Sequence, residues 1–219
     1  MIQQMQTLKS NIFDEIDEQE FIVIDDFLPD NQATELCDWL ISTGQQWTFN
    51  PATCHLKDFY EQRAVDDNCR EYLQFGKNFI KCDDDEFKEF QDENKISIHD
   101  TPENIKKILY VIEEFNKRFN LNEIKIFRAK ANLLTQYQNN KKEYYDTPQV
   151  DLHFPHHVLL YYVNDSDGDT VLFKNRKVWK RISPKKNRLV MFNHKMLHAS
   201  SHPVESIVRI VLNYNIQKV

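Results

Sequence analysis

The chain has 219 residues, 41% of them hydrophobic and 12% aromatic, which suits a globular protein with a full core and excludes a disordered one. Its net charge of −6 is unevenly spread: residues 1–120 carry 12 Lys and Arg against 26 Asp and Glu, and residues 121–219 carry 16 against 8. Only three glycines occur (Gly44, Gly76, Gly168), with neither GxGxxG nor GxxxxGK[ST], so nucleotide-binding loops of those types are excluded.

The opening MIQQMQTLKS lacks the charged-then-apolar pattern of a signal peptide, and no apolar run approaches the ~18 residues of a membrane span. Cys37, Cys54, Cys69 and Cys82 show no CxxC spacing. They read as free thiols of a cytoplasmic protein, not as a zinc knuckle.

EFIVIDDFLPD (20–30) reads as a strand ending in a turn at Pro29, with Asp30 or Asn31 placed to cap a helix through Trp39 and Leu40. Residues 50–100 are polar and aromatic-studded and give no clear element; the acidic run Asp83–Glu86 reads as solvated surface. Thr101-Pro102 then opens the plainest helix, with Ile105, Ile108, Leu109, Ile112, Phe115 and Phe119 on one face. That stripe packs on a sheet and carries no chemistry.

After residue 120 the period becomes strand-like. EIKIFRAKANLLTQYQ (123–138) places Arg128, Lys130, Asn132, Leu134 and Gln136 on one face. A polar loop (Asn139, Asn140, Lys141, Lys142) follows, and then strands at 158–163, 170–173, 188–192 and 207–216. NDSDGD (164–169) and SPKKN (183–187) are turns. The order is a mixed α/β portion (1–122) followed by short strands (123–219) in one domain without internal repeats. This is an α+β pattern whose last part suits a sandwich or jelly roll.

The candidate chemistry lies in those strands. Iron(II) that must bind oxygen needs few protein ligands and open positions, which two imidazoles and one carboxylate supply. In sequence the set takes the form His-x-Asp at a strand end plus a distant His, because alternate residues point the same way. Asp151 and His198 are placed for two of the three; taken singly, the first reads equally as a turn cap and the second as a half-buried histidine. Arg209 lies in the apolar run Ile207, Val208, Ile210, Val211, Leu212, where a guanidinium needs an anion. A dicarboxylic cosubstrate held bidentately would supply one, as would an internal Asp or Glu.

With these pieces the chain resembles the 2-oxoglutarate/Fe(II)-dependent oxygenase superfamily, particularly its prolyl-hydroxylase-like branch. The segments that carry the resemblance are PQVD (148–151), PHHVLLYYVNDSDGDT (155–170), SPKKNRLVMF (183–192), LHASS (197–201) and RIVLNYN (209–215), with FIVIDDFL (21–28) as the usual N-terminal strand. It implies a double-stranded β-helix (jelly roll) core with supporting N-terminal helices. It further implies Asp151 and His198 as ligands of Fe(II), Arg209 as the 2-oxoglutarate clamp, O2 as co-reactant, and Asn132 with Tyr161 or Tyr162 as further contacts of the cosubstrate. The implied activity is hydroxylase-type C–H oxidation coupled to decarboxylation of 2-oxoglutarate to succinate. Its substrate would be peptidyl, a nucleobase or a small metabolite. The NDSDGDT turn is not a calcium loop, since its glycine is misplaced for an EF-hand and Arg176 stands where the last glutamate belongs.

The departure is Gln149, which stands at the position of the family's first histidine. An amide oxygen is a poorer donor than imidazole for a divalent transition metal. Three explanations compete: a substitution that weakens or abolishes activity, rescue by His153 in an inverted Asp-x-His pair, or an inactive relative that binds a dicarboxylate on the same fold. His156 and His157 precede a buried strand and read as packing residues. The basic stretch Lys174, Arg176, Lys177, Lys180, Arg181, Lys185, Lys186 and Arg188, with Trp179 among them, reads either as a phosphate or nucleic-acid contact or as a solvated hairpin. The acidic first half argues against broad duplex binding.

Overall fold

A computed structural model describes residues 12–53, 66–82, 96–152 and 154–219. Cys54, the acidic run Asp83–Glu86 and the rescue candidate His153 lie outside the described residues. In chain order the elements are α1 (Ile12–Gln19), β1 (Phe21–Ile24), α2 (Asp30–Ile41), β2 (Thr48–Asn50), β3 (Gln74–Cys82), β4 (Ile96–Ile98), α3 (Pro102–Phe119), β5 (Ile124–Thr135), β6 (His157–Tyr162), β7 (Thr170–Lys174), β8 (Lys177–Ile182), β9 (Arg188–Asn193), β10 (His198–Ser200) and β11 (Val208–Lys218).

The strands form two antiparallel sheets. The larger runs β1-β9-β6-β11-β5-β3-β2, with β4 also on β3, and the smaller is β10-β7-β8. Strand alternation sorts the side chains between two cores. Ile210, Leu212, Tyr214 and Ile216 of β11, with Ala129, Ala131, Leu159 and Tyr161, pack against the helices. Val158, Leu160, Tyr162, Val190, Phe192 and Val211 face the smaller sheet through Leu172 and Ile182. The result is the expected jelly roll with helices on its outer face.

Helix α3 shows why the sequence folds this way locally. The Thr101 hydroxyl accepts from the Asn104 amide at 3.3 Å, Pro102 occupies the first turn, and Asn120 ends the helix in the left-handed region (φ 51°). Its stripe residues Ile108, Ile112 and Phe115 are buried with Val111. The Tyr214 hydroxyl donates to the Ile108 carbonyl at 2.6 Å, tying the helix to the middle of the larger sheet. No described helix is long and apolar enough to cross a membrane.

One local expectation changes, and two stretches left open are resolved. Asp30 is the first helical residue of α2, not its cap; Pro29 stands before it with φ −52° and ψ 140° and makes no side-chain cap bond. Elements α1, β2, β3 and β4 come from stretches without a readable period. The basic stretch is itself a hairpin: Asn175 and Arg176, at φ 49° and 58°, turn β7 into β8 as a two-residue loop.

The uneven charge also finds an internal explanation. Strand β1 pairs with β9, which sets the acidic start of the chain beside the basic stretch. Arg188 donates to both oxygens of Asp25 at 2.6 and 3.0 Å, Lys185 lies 3.5 Å from Asp25 and Asp26, and Lys174 lies 2.5 Å from Glu20. The Lys174 ammonium also covers the Trp179 ring. Lys174, Lys185 and Arg188 of this stretch therefore serve to hold the segment around β1.

Candidate active site

One cavity opens between the two sheets. The larger sheet lines it with Lys130, Asn132, Leu160, Arg209, Val211 and Asn213, and the smaller sheet with Thr170, His198, Ala199 and Ser200. Gln149, Asp151, Thr53 and Gln74 complete the wall. Among the described residues, Gln149, Asp151, His198, Arg209 and Asn132 therefore share one space, and Tyr161 and Tyr162 do not line it.

At one end, Gln149 and His198 exchange backbone hydrogen bonds of 2.8 and 3.0 Å, so the segment before β6 runs beside the start of β10. This bridge brings Asp151 within 4.0 Å of His198, Oδ1 to Nε2. His198 Nδ1 donates to the Met196 carbonyl at 3.0 Å, which orients the ring with Nε2 toward Asp151. The Gln149 side-chain amide donates to the Thr53 carbonyl at 3.4 Å.

Asp151 is fully engaged. Its Oδ2 accepts from the Asn213 and Asn215 amides, each at 3.0 Å, and its Oδ1 lies 2.6 Å from Arg128 Nη2. Burial alone would raise its pKa, but the Arg128 guanidinium, with lesser help from His198, Lys130 and Asn213, holds the carboxyl well below the usual carboxylate range. Among the described residues no group of three His, Cys, Asp or Glu gathers to hold a metal. Gln149, at the position where the sequence resemblance expects a histidine, lines the same cavity.

At the other end lies Arg209, 3% exposed. Its Nε donates to the Gly168 carbonyl at 2.7 Å and its Nη2 to the Thr170 hydroxyl at 2.8 Å, and no carboxylate among the described residues forms an ion pair with it. Burial lowers its pKa, opposed by Tyr162, Asp146 and Asp169. A guanidinium stays protonated through such a shift. The internal Asp or Glu partner that the sequence left open is thus not found among the described residues.

Gly168 makes this placement possible. A Cβ there would stand 2.5 Å from the Ser201 carbonyl oxygen, 2.9 Å from Pro203 N and 3.1 Å from Arg209 Cδ. The turn that carries it is held by Asp167, whose carboxylate accepts from the amides of Val204, Glu205 and Ser206 at 2.9–3.2 Å.

The two tyrosines separate by strand phase. Tyr162 packs near Arg209, with the guanidinium 5.7 Å from its ring centre, and donates its hydroxyl to Thr170 at 2.7 Å. It packs behind the Arg209 guanidinium and does not line the cavity. Tyr161 points to the helix side and donates to Asn187 Oδ1 at 3.1 Å, so the expectation of a cosubstrate contact from Tyr161 is corrected. His156 meets the Phe154 carbonyl at 2.7 Å and is pushed down to about 4 by burial, as a packed neutral imidazole.

Sequence reading missed Arg128, Asn213, Asn215 and Thr170 as site residues. The two asparagines carried a signal: they follow Arg209 at alternate positions in a strand that is otherwise apolar. Thr53 and Gln74 carried none, because they come from a stretch with no readable period.

No family model matches the chain, and no curated protein matches it either. Solved structures do. An oxidoreductase of the 2OG-Fe(II) oxygenase family from Burkholderia pseudomallei superposes with a TM-score of 0.62 at 11% identity, over 95% of this chain and 92% of that one. HygX from Streptomyces hygroscopicus, solved with nickel and 2-oxoglutarate bound, gives 0.55 at 8% identity over 96% and 87%. A Pseudomonas putida prolyl-4-hydroxylase gives 0.51 at 13% identity over 94% and 96%. The chain has the fold of the 2-oxoglutarate/Fe(II) oxygenases, prolyl hydroxylases included, across nearly its whole length.

Proposed function

We propose that the chain is an Fe(II)/2-oxoglutarate-dependent oxygenase that oxidises a substrate C–H bond while 2-oxoglutarate is decarboxylated to succinate. One observation carries this reading: a single cavity holds a buried guanidinium without an ion-paired carboxylate among the described residues, and a His198–Asp151 pair 4.0 Å apart. The donor set fits a divalent transition metal through His198 Nε2, Asp151 Oδ1 and the amide oxygen of Gln149. It is a weaker set than two imidazoles and a carboxylate.

Bound iron would supply oxygen activation and Lewis-acid orientation of the cosubstrate. The chain's own residues do the rest. Arg209 takes the distal carboxylate in a charge-assisted, two-pronged contact, and Thr170 and the Gly168 carbonyl fix the plane of its fork. The Nδ1–H bond to Met196 keeps the His198 proton away from the metal side. Leu160 and Val211 give the cavity apolar walls that limit water. The described cysteines Cys37, Cys69 and Cys82 are free and buried, which supports the proposal of a cytoplasmic protein.

A second reading, dicarboxylate binding without turnover, is favoured by the engagement of Asp151 Oδ1 with Arg128. Anaerobic addition of Fe(II) and 2-oxoglutarate tests the choice. The oxygenase gives a new absorbance band, and succinate after air is admitted. Neither signal at saturating iron, with 2-oxoglutarate still raising the melting temperature, leaves only the binding reading.

A further inference from the structure

Arg128 is not among the residues that line the cavity, yet it lies beside the Asp151 carboxylate. We propose that Arg128 is a latch that a metal must displace: without metal its guanidinium supplies, at the same oxygen of Asp151, the positive charge that the cation would bring. The proposal rests on the iron reading above and assigns it a residue that sets metal affinity.

The geometry argues for competition, not support. Asp151 has two oxygens with different duties. Oδ2 is held by two neutral amides, Asn213 and Asn215, an arrangement compatible with a metal on the other oxygen. Oδ1 is the oxygen that faces His198 Nε2 at 4.0 Å, and it is the one Arg128 Nη2 holds at 2.6 Å. A divalent ion shared by His198 and Oδ1 would therefore meet a guanidinium that cannot lose its proton. Two like charges at such distances in a buried site repel strongly.

The latch is also held from its own sheet. Arg128 is the cross-strand partner of Asn215, and its Nε donates to Asn215 Oδ1 at 2.7 Å, so its own ladder aims it. Its side chain is 14% exposed against 2% for Asp151, with the Nη2 that faces the carboxylate buried.

Arg128→Met tests this through binding and stability, not through turnover. The variant should melt at a lower temperature without metal, because a buried carboxylate loses its cation. It should also bind Mn(II) or Co(II) at least tenfold more tightly than the wild type by calorimetry. Equal or weaker metal binding overturns the latch and makes Arg128 a positioning residue for Asp151. Should neither protein bind metal, the iron reading falls and the latch with it.

A measurement on the wild type guards against a variant that fails to fold. The Arg128 Nε–H signal in a nitrogen-15 spectrum, assigned with Arg128→Lys, should shift on addition of Zn(II). A signal unmoved at saturating Zn(II) contradicts displacement.

Discussion

Arg209 on β11 and Arg128 on β5 stand on strands paired to one another, and they meet opposite surroundings. Arg209 has a hydroxyl and a carbonyl for partners and no ion-paired carboxylate among the described residues. Arg128 holds the carboxylate of Asp151 at 2.6 Å. A buried guanidinium without an anion is an incomplete site that a ligand completes, whereas one already paired is a finished interaction that a ligand has to undo. On the proposed reading, the Arg209 end of the cavity is thus ready for an anion, and the Asp151 end is closed to a metal by the protein's own charge.

The largest expected effect breaks the anion end. Arg209→Met should weaken 2-oxoglutarate binding by roughly 30-fold or more, since losing one partner of a buried charged pair costs about 2–5 kcal/mol. A thermal-shift titration with 2-oxoglutarate reads this directly, and an unchanged midpoint would assign the carboxylate to another residue.

Acid should act on the groups behind each end. Burial pushes His202, near Arg209, and His156, near Asp151, down to about 4. Unfolded histidines take up protons below about 6.5 that the folded ones refuse, so stability is lost as pH falls from about 6.5 to about 4, by on the order of 3 kcal/mol per residue. Asp146, 3.5 Å from His202, has the opposite sign: burial raises its carboxyl, so the stability it contributes is present at low pH and lost as pH rises through its folded value. Urea denaturation at pH 7 and 5 should therefore show the shallowest loss on acidification in His202→Gln and the steepest in Asp146→Asn. The Asp151 pair, held well below the usual carboxylate range, should contribute evenly across this window and weaken only at lower pH.

Gly168→Ala should cost about 1–3 kcal/mol through overpacking against Ser201 and Pro203, with a lower melting temperature and weaker 2-oxoglutarate binding because Arg209 Cδ must shift. At the metal end, Gln149→His should tighten Mn(II) or Fe(II) binding by about 10–100-fold. No gain by calorimetry would mean that the latch, and not the missing imidazole, limits the site.

Much of this was legible because it is local. The 3.6-residue stripe and Thr-Pro start of α3, the alternating run of β5, the short apolar runs of β6, β9 and β11, and an arginine inside an apolar strand each declare themselves within a few residues. The bridge that joins Asp151 to His198 came only through family resemblance, since their spacing in the chain does not show it. The Arg128–Asp151 pair was illegible because it depends on how β5, β11 and the segment before β6 align, which no single segment states. Tyr161 was misread because alternation gives two faces without saying which one is the cavity. The uneven charge could not be interpreted from sequence alone, because part of it serves β1, where Asp25 and Glu20 meet Arg188 and Lys174.

Calorimetric titration of 2-oxoglutarate into chelator-treated wild-type protein tests the difference between the two ends most directly. A ready anion end predicts binding to one site per chain without metal. Heat that appears only after Fe(II) or Mn(II) is restored would contradict the account and place the affinity at the metal end instead.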